Sequence, residues 1–204
     1  MFASFKSENK CRGTQVLRSD NPLGPFAPIT SEPVTPRDWE CLDGTLYIDK
    51  EDNPWMVFCH EWIQVKDGKI YAMRLSKDLS EAISKPTLLF CASEAKWVKK
   101  GTNYVTDGPF LYQNEQDELL MIWSSSGESG YAIGIARSWS GNILGPWEHE
   151  EDTLFAENGG HGMLFETFDK QLMITLHVPN NLPNERPFFY PVAEENGLLV
   201  LKET

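Results

Sequence analysis

The stretch LDGTLYIDKEDNPWMVFCHEW, residues 42–62, decides the fold because the chain repeats its pattern twice more. The second copy is TDGPFLYQNEQDELLMIWSSSG at residues 106–127, and the third is GHGMLFETFDKQLMITLHVP at residues 160–179. Each copy opens on a polar residue followed by glycine, and then has an apolar run, a polar turn and a second apolar run. Apolar runs that flank turn residues are typical of a β-hairpin. We therefore predict that the three segments are copies of one hairpin.

A further strand accompanies the hairpins. The stretches 13–19, 69–76 and 130–138 alternate as strands do, and each ends on a serine, at intervals of about 60 residues. Self-similarity at a fixed period, built from short strands and turns, indicates radial β repeats. Four-stranded blades around a central channel match this pattern best. The predicted fold is all-β, a β-propeller that forms a single domain over residues 1–204.

The composition restricts the partners. A net charge of −12 and a pI near 4.8 argue against nucleic acid, because its phosphates would be repelled. No run approaches the roughly 18 apolar residues of a membrane helix, and no signal peptide is visible, so no membrane partner is predicted and the localisation stays open. The four cysteines lack CxxC spacing, which argues against a zinc knuckle or a thioredoxin-like motif.

The residues that open the three hairpins are Asp43, Asp107 and His161. In a propeller the innermost strands surround the axis, so these side chains are expected to meet at the mouth of one channel. Two acids and an imidazole in a small volume are costly to assemble, because the like charges repel and the groups lose water, and this cost is typical of a functional site. The alternative is that Asp-Gly marks ordinary hairpin turns. Separate turn residues at 49–54 and 113–117 already fill that role, so the site is favoured.

These openings resemble glycoside hydrolase family 43. The resemblance extends from Phe2 to about Val200, and its motifs are Asp43-Gly44, Asp107-Gly108-Pro109-Phe110, Gly160-His161-Gly162, Arg137-Ser138 and Leu144-Gly145-Pro146-Trp147. It implies a five-bladed β-propeller glycosidase. Members cleave arabinose- or xylose-containing plant polysaccharides and oligosaccharides, as α-L-arabinofuranosidases or β-xylosidases, with inversion at the anomeric carbon.

The resemblance also implies roles for the three opening residues. Asp107 matches the acid that protonates the leaving oxygen, and Asp43 matches the aspartate that orients the acid and tunes its pKa. His161 matches the axial histidine near a bound metal or its waters, which would be Ca²⁺. The family's acid is normally glutamate, and this chain has aspartate there. A protonated Asp107 requires a pKa well above the ordinary value of about 3.9, which an ionised Asp43 nearby would favour.

Further candidates for substrate binding follow from the repeat and from the resemblance. His60, Glu61 and Trp62 end the second strand of their unit, where Trp62 would stack on a sugar and the other two would bind hydroxyl groups. Ser124 lies at the equivalent position in the next unit, and Arg186 resembles a family arginine that reaches the pocket. The alternatives are that His60 is an ordinary loop residue and that Arg186 pairs with Glu185 on the surface.

The N-terminal end of the pattern departs from the family. Phe2 to Phe5 has the pattern of a strand in the middle of the second blade, which predicts about three and a half blades, without the first blade and part of the second. The family's general base would lie in that first blade, and an inverting glycosidase needs both an acid and a base. We therefore expect impaired hydrolysis, and self-association through open strand edges. The alternatives are an inactive carbohydrate-binding remnant and a propeller that serves as an interaction module.

Overall fold

The computed structural model describes residues 1–202 and consists almost entirely of short β-strands. The strands are β1 (Phe2–Ser7), β2 (Lys10–Arg18), β3 (Ala27–Pro28), β4 (Cys41–Ile48), β5 (Pro54–His60), β6 (Lys69–Arg74), β7 (Thr87–Cys91), β8 (Asp107–Gln113), β9 (Leu119–Gly127), β10 (Gly130–Ser138), β11 (Glu148–Phe155), β12 (Gly160–Glu166), β13 (Leu172–Val178), β14 (Arg186–Glu195) and β15 (Leu198–Leu201). A one-turn helix, α1 (Trp62–Val65), follows β5, and a 3₁₀ turn covers Ala92–Glu94.

Consecutive strands pair antiparallel and form four small sheets, which are arranged as a propeller. Sheet 1 contains β1 to β3, sheet 2 contains β4 to β7, sheet 3 contains β8 to β11, and sheet 4 contains β12 to β15. The inner strand β8 contacts both β4 and β12, so the three predicted openings come from neighbouring strands around one axis. The predicted all-β propeller is confirmed, and three four-stranded sheets with one three-stranded sheet agree with about three and a half blades.

The core lies between neighbouring sheets. Sheets 2 and 3 enclose a cluster that contains Phe90, Trp97 and Trp123, and Trp123 is fully buried. A second cluster, which includes Ile133 and Ile174, fills the space between sheets 3 and 4, and a third lies between sheets 1 and 2. Each large apolar side chain buried in this way contributes roughly 1.5–3 kcal/mol to stability. These interfaces fix the distances between the inner strands.

The three inner strands β4, β8 and β12 each have a β-bulge near their first residues. In β4 the paired residues jump from Leu42 to Thr45, and in β8 and β12 corresponding jumps end at Phe110 and Met163. A bulge places two residues opposite one and redirects a side chain. The first bulge residues are Asp43, Gly108 and His161, whose φ angles are 55°, 52° and 54°.

This register corrects one prediction. The sequence comparison placed Asp107 at the same repeat position as Asp43 and His161, and that equivalence is wrong by one residue. Asp107 pairs with Ser124 and is the counterpart of Leu42 and Gly160, which pair with Cys59 and His177. The one-residue offset arises because glycine, and not the aspartate, takes the left-handed position in β8.

The cysteines and the helices of the described residues complete the account of the fold. Within residues 1–202 the four cysteines, Cys11, Cys41, Cys59 and Cys91, are free thiols. No helix in that range is long and apolar enough to cross a membrane.

Candidate active site

Asp107 occupies a repeat position that faces the packed interior of its sheet. Its counterparts Leu42 and Gly160 are both buried, and Leu42 is only 7% exposed. The Asp107 carboxylate oxygen Oδ2 accepts a hydrogen bond of 2.8 Å from the Tyr131 hydroxyl. Burial raises the pKa of Asp107 to about 6, and the neighbouring Asp43 carboxylate adds to this rise. Asp107 is therefore a carboxyl group that can carry a proton near neutral pH.

Asp43 points toward β8 from the first bulge position of β4. Its Oδ2 accepts a 3.0 Å hydrogen bond from the Gly108 amide and lies 3.8 Å from Nδ1 of His161. Its own amide donates to the Ser4 hydroxyl at 3.0 Å, which ties β4 to sheet 1. Burial raises the pKa of Asp43, whereas His161, the Gly108 amide and Arg12 oppose that rise. Both aspartates have partners that stabilise a carboxylate, but the pKa of Asp107 is raised to about 6 in spite of them, so we assign the proton of the pair to Asp107.

His161 is held by its backbone and presents its ring to solvent. Its amide donates to the Ser124 hydroxyl at 2.8 Å, and its side chain is 48% exposed. The ring lies beside Gly108, where an added Cβ would come within 2.8 Å of the imidazole Cδ2 atom. Glycine at position 108 thus allows β8 and β12 to approach each other closely.

A cavity of about 420 Å³ opens between the inner strands. Its walls come from β1, β4, β8 and β12, and they include Ser4, Asp43, Gly108, Phe110, His161 and Met163. Polar and apolar groups therefore face one space, which suits a ligand that has both hydroxyl groups and C–H faces.

Glu61 lies at the rim of the site, directly after β5. Its carboxylate accepts hydrogen bonds of 3.0 Å at both oxygens from Nη1 of Arg12, which reaches across from sheet 1. Its amide donates to the Glu40 carbonyl at the start of sheet 2. Burial raises the pKa of Glu61, and Arg12 opposes the rise. Glu61 in turn contributes to the raised pKa of Asp107, so the rim and the inner strands are electrostatically linked.

His60 and Trp62 flank Glu61 in different environments. His60 is 7% exposed, its ring stacks on Trp39 at 4.4 Å between centroids, and its Nε2 atom lies 2.6 Å from Oε1 of Gln64. Burial lowers the pKa of His60. Trp62 is half-buried as the first residue of α1. Substrate contacts of these two side chains stay predictions.

Ser124 and Arg186 lie in different parts of the fold. Ser124 is fully buried, and its hydroxyl holds the His161 amide. Arg186 is exposed at the start of β14, where its guanidinium donates to the backbone carbonyls of Pro183 and Glu185. The structure thus joins Asp43, Asp107, His161 and Ser124 in one cluster. The substrate-binding roles predicted for Ser124 and Arg186 stay predictions.

The residues around His161 offer few ligands for a metal ion. Across residues 1–202 there is no group of three or more His, Cys, Asp or Glu side chains arranged to hold a metal. Ca²⁺ prefers six to eight oxygen ligands, so these side chains fit it poorly. The predicted calcium site stays a prediction, and no chemical step below depends on it.

Sequence reasoning missed two residues that contact the carboxyl groups of predicted site residues. Tyr131 donates to Asp107, and Arg12 donates to Glu61. Tyr131 follows a glycine at the start of a recognisable repeat strand and lies two residues before Ile133, which pairs with Ser124 and so aligns with Asp107. A register comparison between units would have placed Tyr131 at the same end of the sheet as Asp107. Arg12 comes from a different sheet and left no signal in the repeat.

The chain is similar to known proteins in sequence and in structure. The sequence model of "Glycosyl hydrolases family 43" matches residues 1–195. The endo-arabinase from Bacteroides thetaiotaomicron VPI-5482 is 47% identical, with a TM-score of 0.92 over 96% of this chain and 71% of that chain. No curated protein sequence matches the chain.

Two more distant structures share the fold. An endo-1,4-beta-xylanase from the same Bacteroides strain is 19% identical, with a TM-score of 0.75 over 100% of this chain and 75% of that chain. An alpha-L-arabinofuranosidase from Lactobacillus brevis is 20% identical, with a TM-score of 0.74 over 91% of this chain and 64% of that chain. With the family model matching nearly the whole length, the chain belongs to glycosyl hydrolase family 43.

Proposed function

We propose that this chain hydrolyses O-glycosidic bonds of arabinose-containing polysaccharides or oligosaccharides, with Asp107 as the proton donor. The single observation that carries the proposal is the half-buried Asp107 carboxyl, whose pKa is raised to about 6 within the inner strands of a family 43 propeller. An acid catalyst works best when its pKa lies near the operating pH. The likeness to an endo-arabinase at 47% identity favours arabinose over xylose as the sugar.

In the proposed reaction, Asp107 gives its proton to the glycosidic oxygen as the bond from that oxygen to the anomeric carbon breaks. A water molecule attacks the anomeric carbon from the opposite face and releases its proton to the solvent, so that the configuration inverts. In this proposal Asp43 carries the negative charge of the pair; burial raises its pKa, and the Gly108 amide and His161 oppose that rise. That charge favours the protonated form of Asp107 before the transfer.

Removal of the proton from the attacking water limits the rate of the proposed reaction. An inverting enzyme separates its acid and base by about 6.5–9.5 Å to accommodate the water. The carboxyl groups that act electrostatically on Asp107 are those of Asp43 and Glu61. Asp43 is engaged by the Gly108 amide, and Glu61 is engaged at both oxygens by Arg12. We therefore propose that hydrolysis by this chain is impaired.

The second candidate function is carbohydrate binding without catalysis. It is favoured by the same engagement of both carboxylates, together with aspartate where the family has glutamate. Under this alternative the cavity between the inner strands binds sugar, and the raised pKa of Asp107 reflects burial alone.

The test is hydrolysis of linear arabinan, an aryl α-L-arabinofuranoside and an aryl β-D-xyloside by the wild type and by Asp107→Asn. We expect measurable hydrolysis of an arabinose substrate and a loss of about 10²- to 10⁴-fold in Asp107→Asn, the usual contribution of a general acid. The matched control is Asp169→Asn, because Asp169 is exposed in the turn between β12 and β13. An equal rate in wild type and Asp107→Asn would overturn the assignment. No hydrolysis, with arabinan binding retained, would favour the binding function.

A further inference from the structure

Tyr131, the second residue of β10, contacts the acid more directly than any residue that the sequence motifs identify. Its hydroxyl donates a 2.8 Å hydrogen bond to Oδ2 of Asp107, and the residue is 9% exposed. Burial and the Asp107 carboxyl raise the pKa of the Tyr131 phenol further above its ordinary value. The phenol therefore stays protonated and can act toward Asp107 only as a donor.

The ring of Tyr131 is fixed from several sides. It stacks on His177 at 5.7 Å between centroids, with an interplanar angle of 22°. On another side lies Gly160, where an added Cβ would come within 2.4 Å of the Tyr131 Cε1 atom. The Tyr131 amide donates to Oδ1 of Asn158, and its carbonyl accepts from the Gly159 amide at 3.0 Å. A ring held in this way keeps its hydroxyl in one place.

Comparison with sheet 2 shows that the pair is specific to sheet 3. Asp107 is the counterpart of Leu42, and the register places Gly68 where sheet 3 has Tyr131. Sheet 2 therefore closes the same corner with an apolar side chain and a glycine. Sheet 3 thus has two polar side chains where sheet 2 has a leucine and a glycine. The packing of a propeller blade does not require this difference.

We propose that Tyr131 is a positioning residue that holds Oδ2 of Asp107, so that Oδ1 is the oxygen that carries and delivers the proton. This inference rests on the proposed function, in which Asp107 is the acid. It adds the residue that selects the reactive oxygen.

The chemistry of the hydrogen bond gives the reason. In a protonated carboxyl group, one oxygen carries the proton and the other accepts hydrogen bonds. A permanent donor at Oδ2 makes Oδ2 the accepting oxygen, so the acidic proton resides on Oδ1. When Asp107 loses that proton to the glycosidic oxygen, the Tyr131 hydrogen bond becomes charge-assisted and strengthens. Tyr131 therefore stabilises the carboxylate that forms during the transfer.

Other groups face Asp107 from every neighbouring strand. Burial and the Asp43 carboxylate on β4 are the largest causes of its raised pKa, and Glu61 after β5 adds to them. His161 on β12 and the Tyr131 hydroxyl act in the opposite direction. The buried Cys59 thiol on β5 is also close enough to be affected by Asp107, and its own pKa is raised well above the ordinary value. Removing the Tyr131 hydroxyl leaves all of these groups in place.

The test is the titration of the Asp107 carboxyl carbon by ¹³C NMR in the wild type and in Tyr131→Phe, with Asp107→Asn used to assign the signal. We expect the midpoint to rise by about one pH unit in Tyr131→Phe, because a hydrogen bond that stabilises the carboxylate is lost. We also expect kcat on an aryl arabinoside to fall about tenfold while KM is unchanged, with a smaller fall for aryl groups that leave readily. An unchanged midpoint would overturn the proposal.

Two further variants make the result specific. Tyr112→Phe is the matched control, because its hydroxyl lies 3.5 Å from Glu194, and we expect the Asp107 midpoint to stay the same. If Tyr131→Phe does not fold, 3-fluorotyrosine at position 131 keeps the ring and supplies a stronger donor. The Asp107 midpoint should then fall, and a rise or no change would contradict the proposal.

The failure of this inference differs from the failure of the proposed function. If Asp107→Asn leaves hydrolysis intact, Asp107 is not the acid, and the proposed function and this inference fail together. If Asp107→Asn abolishes hydrolysis but Tyr131→Phe changes neither kcat nor the midpoint, only the role of Tyr131 is wrong. The NMR midpoint decides the role of the hydrogen bond even where turnover is weak.

Discussion

The openings of β4 and β8 have the same dipeptide, Asp-Gly, yet the two aspartates have different environments. In β4 the aspartate is the first bulge residue, with φ of 55°, and its carboxylate reaches across to β8. In β8 the glycine takes that position, with φ of 52°, and Asp107 lies one residue earlier. Successive residues of a strand point to opposite sides, so a shift of one residue changes what a side chain faces.

The difference shows how a repeat fold can produce two unlike acids from one motif. Asp107 occupies the position that holds Leu42 in sheet 2, and the resulting burial raises its pKa to about 6. Asp43 occupies the bulge, where a backbone amide and an imidazole stabilise its charge. Which residue adopts the left-handed conformation, the aspartate in β4 or the glycine in β8, therefore decides the environment of each acid.

The largest expected effect comes from breaking the left-handed position of β8. Gly108→Ala should lower the free energy of unfolding by about 3 kcal/mol and abolish arabinoside hydrolysis. The left-handed conformation costs an alanine roughly 1–2 kcal/mol. The new Cβ would also lie 2.8 Å from Cδ2 and 3.2 Å from Cα of His161, and that backbone atom cannot move without disturbing β12. Urea unfolding of the variant measures the loss.

The control for this variant is Gly101→Ala. Gly101 lies in a loop, and its added Cβ would have its nearest neighbour at 3.6 Å, the Asn103 carbonyl oxygen. We expect a change within about 0.5 kcal/mol there. Equal stabilities of the two variants would mean that the conformation of Gly108 does not hold the β8 opening in place.

A smaller effect follows from the burial of Asp107. Asp107→Asn should raise the free energy of unfolding by roughly 2 to 3 kcal/mol at pH 8 and leave it unchanged near pH 3. The folded-state pKa of about 6 lies above the unfolded value of 3.8. Between these values the unfolded chain loses the proton while the folded chain keeps it, so wild-type stability falls as pH rises from 4 to 6. Above pH 6 the folded protein bears the full free-energy cost of burying the ionised Asp107 carboxylate, and a neutral asparagine removes that cost.

Asp49→Asn tests the sign of that effect. Although burial raises it, hydrogen bonds from Trp55 and Asn53 hold the pKa of Asp49 below its ordinary value. Its carboxylate therefore stabilises the fold above the unfolded pKa, and the variant should be less stable than wild type at pH 8. If both variants changed stability in the same direction at pH 8, burial of Asp107 would not be the cause.

Much of this comparison was visible in the sequence. The repeat predicted the hairpins and the propeller, and the resemblance predicted membership of family 43; all three predictions are confirmed. The repeat also placed Asp43, Asp107 and His161 at the openings of neighbouring inner strands, because periodicity alone fixes the order of strands. It failed by one residue at Asp107, because the letters Asp-Gly do not show which of the two adopts the left-handed conformation.

Two side-chain contacts at the site were beyond the sequence for another reason. Arg12 and Glu61 are separated by 49 residues, and Tyr131 and Asp107 by 24. The Arg12–Glu61 pair joins sheets 1 and 2 and depends on the distance and rotation between blades, which the packing of apolar side chains between sheets determines. Tyr131 and Asp107 lie within sheet 3, on strands that β9 separates, so their contact depends on how the two side chains are directed across that strand. His60 was a similar case, because its stacking on Trp39 depends on the path of the loop before β4.

The smallest predicted effect sharpens the comparison by coupling the two openings. Asp43→Asn should move the NMR midpoint of Asp107 downward, toward but not to its ordinary value, because burial remains while the charge of Asp43 is lost. Asparagine tolerates the left-handed conformation and retains an acceptor for the Gly108 amide, so the bulge should persist. Glu61→Gln should move the midpoint in the same direction by a smaller amount, since Glu61 contributes less. An unchanged midpoint in Asp43→Asn would mean that the two aspartates titrate independently. In that case burial alone separates their pKa values, and the position of Asp107 in the repeat is sufficient to make it an acid.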